Sequence, residues 1–293
     1  MKCANHVFEL IGKTPMIRIN KMAPNPKVKI YAKLEGFNPM GSLKDRIALG
    51  MILSAEEEGK LTKGKTILEA TSGNTGISVA WVASLKGYRC EIVLPSLVSE
   101  ERKKILKLLG AKLVFVSTEE EAVKKARKMA EDSQYFMTDQ FANDMNWKAH
   151  YQTTGEEIWE QTEGKITHFV AGIGTSGTIM GVARRLKAFK QDIKIVGVQP
   201  SSRDNKQQGL LNQHEFCPEI CRLSEIDEML MVEDYEAYGM ARDLLLREGL
   251  FVGISSGSAM WGAVQKAKML DEGLIVTIFG DHGFKYLSTD LFG

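Results

Sequence analysis

The chain has 293 residues, 44% of them hydrophobic, which is enough to bury a full core in one large α/β domain or in two lobes. Its 38 basic side chains nearly balance its 37 acidic ones and lie among them, as in Glu119-Glu120-Glu121 followed by Lys124-Lys125, so no nucleic-acid or anionic-membrane partner is implied. The longest apolar stretch, Ile77 to Leu85, is far shorter than the roughly 20 residues of a bilayer span, and the first residues lead into no apolar signal core, so a cytoplasmic location is expected.

In chain order, the pattern predicts a helix over Ile47 to Gly59, a strand at Thr66 to Glu69, a Gly-rich turn at Thr71 to Gly76 that opens a helix, and a strand at Cys90 to Leu94. A helix over Ser99 to Leu109, a strand at Lys112 to Val116 and a helix over Glu119 to Asp132 follow. Beyond a change of lobe near Asn146 to Tyr151 come a strand at His168 to Ala171, a second Gly-rich turn at Gly172 to Gly177, and a helix over Thr178 to Phe189. The last elements are a strand at Ile193 to Val198, a helix over Glu236 to Glu248, a helix over Ala259 to Leu270 and a strand at Leu274 to Phe279. Alternation of this kind is the rhythm of a βαβ protein with parallel sheets. The four cysteines (Cys3, Cys90, Cys217, Cys221) make no disulfide framework in a chain this long, and the spacing of His214, Cys217 and Cys221 matches no common zinc pattern, so no metal site is expected.

Four segments carry chemistry. Gly41-Ser42-Leu43-Lys44-Asp45-Arg46 has the form of a capping box, with Ser42 as N-cap and Asp45 three residues on, which puts Lys44 in the first helical turn. A cation there faces the positive end of the helix dipole, which disfavours its protonated form and suits the amine to a Schiff base. On this hexapeptide alone, a solvated lysine paired with an acid competes with that reading. Thr71-Ser72-Gly73-Asn74-Thr75-Gly76 is dense in donors able to grip a carboxylate or phosphate, with an ordinary capped turn as the plainer reading. Gly172 to Thr178 reads as a phosphate cup: glycines let backbone amides approach an anion, Thr175, Ser176 and Thr178 add hydroxyls, and the helix end adds partial positive charge. Its glycines also fit the dinucleotide fingerprint, which keeps a nicotinamide oxidoreductase open, although the next strand ends Val198-Gln199-Pro200 without the acid that a ribose requires. Gly253-Ile254-Ser255-Ser256-Gly257 reads as a loop before a helix.

Taken together and in order, Asn38-Pro39-x-Gly41-Ser42-x-Lys44-Asp45-Arg46, the turn at 71–76, Gly174-Thr175-Ser176-Gly177-Thr178 and Gly253 to Gly257 closely resemble the cysteine synthase family of fold-type II pyridoxal-phosphate enzymes. The resemblance runs from Ile11-Gly12-Lys13-Thr14-Pro15 through Gln140-Phe141 to Lys285-Tyr286-Leu287-Ser288-Thr289, and Glu69-Ala70-Thr71 and Thr154 to Trp159 are similar to its B isozyme. It implies an α/β, two-lobed fold, each lobe a largely parallel sheet flanked by helices. Residues 38–147 would be a smaller, mobile domain binding the substrate carboxylate, and residues 1–37 with 148–293 a larger one binding the cofactor phosphate. The implied cofactor is pyridoxal 5'-phosphate, and the implied reaction is β-replacement on O-acetyl-L-serine by sulfide, giving L-cysteine and acetate by a ping-pong route through a bound aminoacrylate.

By the same resemblance Lys44 forms the internal aldimine and shuttles the Cα proton, Asn74 bonds the cofactor ring oxygen, Gly174, Thr175, Ser176, Gly177 and Thr178 hold the phosphate, and Ser255 faces the pyridine nitrogen. Thr71, Ser72, Gly73, Thr75 and Gln140 bind the substrate α-carboxylate, and a homodimer is expected. Cystathionine or lanthionine formation and cysteine desulfhydration are the neighbouring activities on this scaffold. The chain departs from the family pattern at Met40 and Leu43 beside the lysine, and at Gly280, where a serine or cysteine usually stands near the pyridine nitrogen. It departs again at Leu210-Leu211, where B-type enzymes carry an arginine pair associated with thiosulfate. Sulfide is therefore expected to be used far better than thiosulfate, and arginines at 210 and 211 to raise the thiosulfate rate.

Overall fold

The computed structural model describes residues 3–214 and 216–291. In chain order the elements are β1 (Met16–Ile19), β2 (Val28–Leu34), α1 (Lys44–Glu57), β3 (Thr66–Ala70), α2 (Asn74–Lys86), β4 (Arg89–Pro95), α3 (Glu100–Leu108), β5 (Lys112–Val116), α4 (Glu119–Met129) and β6 (Tyr135–Met137). They continue as α5 (Met145–Ala149), α6 (Gly155–Gln161), β7 (His168–Gly172), α7 (Gly177–Phe189), β8 (Lys194–Pro200), β9 (Glu228–Val232), α8 (Asp234–Asp243), α9 (Ile254–Met269) and β10 (Gly273–Phe279). A π-helical turn, His150–Thr154, joins α5 to α6, and another, Leu244–Glu248, extends α8. No helix among the described residues is long and apolar enough to cross a membrane.

The chain forms two compact units: Lys44–Asn146 is one, and the described residues on either side of it make the other. The larger unit carries a six-stranded sheet in the order β1-β2-β10-β7-β8-β9, parallel throughout except for the β1–β2 pair. Both faces of this sheet are covered, so its inner strands are apolar at nearly every position. Side-chain alternation divides β7 between the faces: Val170 joins Val196, Val198, Met260 and Ala263 on the side of α8 and α9, whereas Phe169 and Ala171 join Ile179, Met180 and Val182 on the side of α7.

The smaller unit is a four-stranded parallel sheet in the order β5-β4-β3-β6. Every residue of β3 is buried, and Leu68 and Ala70 pack with Val93 and with Ala122 and Ala126 of α4. Helix α2 stops where Gly87 turns left-handed at φ 76°, and α4 starts where the Thr118 side chain accepts the N–H of Glu121. The expected alternation of strands and helices is therefore present, with a largely parallel sheet in each unit. Strands β1, β2, β6 and β9 were not anticipated. Lys33 of β2 is fully buried and pairs with Glu157 at 2.7 Å, which is how a strand containing two lysines sits inside the sheet.

Candidate active site

The approach to Lys44 is braced by residues far apart in sequence. Asn38 accepts the N–H of Gly12 through Oδ1 (2.8 Å) and donates through Nδ2 to Glu35 Oε2 (2.9 Å), while the Thr14 hydroxyl donates to Glu35 Oε1 (2.7 Å). Lys285 Nζ donates to the carbonyls of Met40 (2.9 Å) and Gly41 (3.3 Å), and the Tyr286 hydroxyl to Asp281 Oδ2 (2.8 Å). Thus the Thr14, Asn38 and Lys285-Tyr286 signatures are supports for one segment. Helix α1 begins at Lys44 itself, so Leu43, and not Ser42, is the residue ahead of it. Ser42 instead bridges to Asp281, and Asp45 Oδ1 accepts the Ser78 hydroxyl (2.6 Å), a bond that ties α1 to α2. Lys44 is thus the first residue of α1.

Within the same unit, the turn at 71–76 lies where β3 ends and α2 starts. The N-cap of α2 is Gly73, which supplies no side-chain cap, and a helix start of this kind favours an external anion. Gly73 N–H donates to Thr71 Oγ1 (3.0 Å), and a Cβ at Gly76 would come within 2.9 Å of Thr71 Cγ2, so only glycine lets the helix sit this close to the threonine. The Thr75 hydroxyl donates to Gln140 Oε1 (2.6 Å), and Gln140 Nε2 donates to the Ala70 carbonyl (3.3 Å). Thr71, Ser72, Gly73, Asn74 and Thr75 are consecutive in this turn, and Gln140 is clasped to it. Behind it lies fully buried Glu69, which takes the Thr138 hydroxyl and whose carboxyl burial raises from 4.5 to about 8.

In the larger unit, Gly172–Thr178 connects β7 to α7. Ser176 is the N-cap in a left-handed conformation (φ 71°) and makes no side-chain cap, which again leaves helix-start amides available. A Cβ at Gly174 would fall 2.1 Å from the Gly209 carbonyl oxygen, so this glycine is required for the loop to rest on the following segment. Gln213 Nε2 donates to the Gly174 carbonyl (3.2 Å), and its Oε1 takes the Ser176 hydroxyl (3.4 Å). Thr178 Oγ1 lies 3.2 Å from His150 Nε2, whose Nδ1 is 2.8 Å from Thr154 Oγ1. The π-helical turn thus sets a buried imidazole behind the last hydroxyl of the loop. Neither His150 nor Gln213 was expected, since no local motif marks them.

Ser255 lies in the first turn of α9 and not in a loop ahead of it; its N-cap, Gly253, also lacks a side-chain cap. A Cβ at Gly280 would be 2.9 Å from Leu43 Cδ2 and 3.8 Å from Ser255 Oγ, and the N–H of Leu43 donates to the Gly280 carbonyl (3.0 Å). The two departures, Leu43 and Gly280, are therefore packing partners, the larger residue filling the space left by the smaller. Leu210 is buried with Cδ2 2.9 Å from where a Gly172 Cβ would be, and the Leu211 N–H donates to the Ile173 carbonyl (2.9 Å). An arginine introduced at 210 would have to displace this packing against the loop. Burial pushes the Cys221 thiol up to about 11 and the Cys90 thiol up to about 12, and among the described residues no group of His, Cys, Asp or Glu comes together to hold a metal.

A family profile described as pyridoxal-phosphate dependent enzyme matches residues 7–281. The chain belongs to that family. It is 45% identical to a cysteine synthase of Aquifex aeolicus, over 99% of this chain and 93% of that one, and 43% identical to cysteine synthase B of Escherichia coli, over 97% and 95%. Among solved structures it matches a cysteine synthase from Entamoeba histolytica with a TM-score of 0.94 at 35% identity, covering 99% of this chain and 91% of that one. The fold is fold-type II of the pyridoxal-phosphate dependent enzymes, and the nicotinamide alternative is set aside. The residues present fit the cofactor: an uncapped helix start with three hydroxyls suits a phosphate, a serine hydroxyl on α9 suits a ring nitrogen, and a lysine opening α1 suits an aldehyde.

Proposed function

We propose that this chain is a cysteine synthase, exchanging the acetate of O-acetyl-L-serine for sulfide to give L-cysteine and acetate by a ping-pong route. The observation that carries the reading is the turn at 71–76: an uncapped helix start with Gln140 clasped to Thr75 is a cup for a carboxylate, and it is separate from the loop suited to phosphate. Near-full-length identity to cysteine synthases supports the same substrate class.

Pyridoxal phosphate, when bound, draws electrons from the substrate Cα and so permits loss of the β-substituent. Lys44 would hold the group through Nζ, and the freed amine then takes the Cα proton and returns it. Asn74 would bond its ring oxygen, and Gly174, Thr175, Ser176, Gly177 and Thr178 its phosphate. Ser255 would offer the ring nitrogen a neutral hydroxyl in place of a carboxylate, which would make the group a milder electron sink suited to elimination. Thr71, Ser72, Gly73, Thr75 and Gln140 orient the α-carboxylate, with residues 38–147 as the substrate domain and the remainder as the cofactor domain.

The test is product analysis of the cofactor-loaded enzyme. Cysteine and acetate should appear in equal amounts from O-acetylserine and sulfide, whereas faster sulfide release from cysteine, or faster cystathionine formation, would contradict the assignment. The resemblance also supports a cytoplasmic homodimer, and a sedimentation mass equal to a single chain would contradict the dimer.

A further inference from the structure

The turn that offers its donors to a carboxylate already holds one. Ser72 N–H donates to Glu119 Oε1 (3.2 Å), and the Ser72 side chain also favours the charged form of the same carboxylate. From the other side, Arg102 Nη1 donates to the Ser72 carbonyl (3.2 Å). Glu119 is the first residue of α4, yet that helix start does not need it: Thr118 accepts the Glu121 N–H (3.1 Å), and Glu121 accepts the Ser117 N–H (2.8 Å). Its carboxylate instead bonds Ser72, the residue before the N-cap Gly73 of α2, and an anion is favoured near a helix start.

We propose that Glu119 is a positioning residue that occupies the Ser72 donors before substrate arrives and yields them to the substrate's α-carboxylate. The inference rests on the reading of the 71–76 turn as the carboxylate cup. Two carboxylates do not share one N–H and one hydroxyl without strong like-charge repulsion, so binding of one requires departure of the other. Burial makes Glu119 a weak holder of its site, because it raises the carboxyl above its usual value against the opposing bonds from Ser72 and the charge of Arg102. The internal anion therefore keeps the turn shaped without outcompeting the ligand.

The experiment uses the cofactor-loaded enzyme and L-alanine, an amino acid with the carboxylate but no leaving group, with binding followed by the visible absorption of the cofactor. Glu119→Gln keeps the length and an acceptor oxygen but removes the charge, and should bind L-alanine about three- to tenfold more tightly at pH 8. That advantage should shrink as pH falls, because protonation of the wild-type Glu119 makes it resemble the variant. Arg102 on α3 is a charged group facing it; Glu120 and Glu121 neighbour it on its own helix, and both remain in the variant. Thr71→Ala and Ser72→Ala serve as controls for the cup. If they weaken L-alanine binding while Glu119→Gln binds equally or more weakly at every pH, Glu119 is only a structural clamp and the proposal is overturned while the cup stands. If neither control weakens binding, the cup reading falls and the proposal falls with it.

Discussion

Placing a side chain at Gly280 tests how the end of β10 is packed. The added Cβ would lie 2.9 Å from Leu43 Cδ2, well inside contact distance, and 3.8 Å from Ser255 Oγ. The obstacle is the tip of a flexible side chain, so Leu43 turns aside and the backbone need not move, but a leucine forced from its seat in a packed site costs about 1–3 kcal/mol. For a chain of this size that corresponds to a fall of roughly 2–10 °C in Tm for Gly280→Ser. Leu43→Val alone removes one methylene, worth about 1 kcal/mol. Together the two changes exchange the filler, so the double variant should be more stable than the sum of the single effects by about 1 kcal/mol or more. Urea and thermal unfolding of the four proteins measure this coupling. A neutral Gly280→Ser, or strictly additive effects, would show that Leu43 does not fill the space beside Gly280.

Glu69→Gln should alter the pH dependence of stability. The folded protein binds the Glu69 proton more tightly than the unfolded chain does, so its contribution is full below about pH 4.5 and is lost as pH rises towards about 8. The stability of the glutamine variant relative to wild type should therefore rise by about 1 kcal/mol or more from pH 5 to pH 9, and a constant difference in urea titrations would contradict this. Thr71→Ala and Asn74→Ala should slow turnover far more than they weaken cofactor retention, and Thr178→Val should do the reverse; equilibrium dialysis beside steady-state kinetics separates the two, and loss of cofactor in the first pair would contradict the division. Leu210→Arg should loosen cofactor binding without raising the thiosulfate rate, given the packing of Leu210 against Gly172. Wild-type enzyme should use sulfide far better than thiosulfate, and comparable rates at matched concentration would show that the dianion is received elsewhere.

The interior strands β3, β4, β7, β8 and β10 were legible because burial on both faces leaves near-continuous apolar runs such as Leu274 to Phe279. Strand β2 was not, because Lys33 breaks its run, and the Glu157 partner that makes a buried lysine tolerable lies 124 positions away, as the residue numbers show. Strand β9 is rich in methionine, and β6 has three residues, too few to show a period. The candidate site followed the same rule. Glycine-rich turns between a strand and a helix announce themselves locally, so 71–76 and 172–178 were readable. Contributions from afar were not: His150 reaches Thr178 through a π-helical turn, Glu119 reaches Ser72 across 47 positions, and Lys285 braces Met40 from 245 positions away. The Ser78 contact to Asp45 was equally hidden, because only the packing of α1 on α2 supplies it.

The central claim is that Lys44 carries the cofactor for cysteine synthesis, and borohydride reduction of the loaded enzyme followed by peptide mass mapping tests it most directly. Wild type should yield one cofactor-bearing peptide, containing Lys44. Lys44→Ala should remain folded, because losing a cation at a helix start costs little, yet should carry no such label and make no cysteine from O-acetylserine and sulfide. A label on a different lysine, or substantial cysteine synthesis by the alanine variant, would contradict the account.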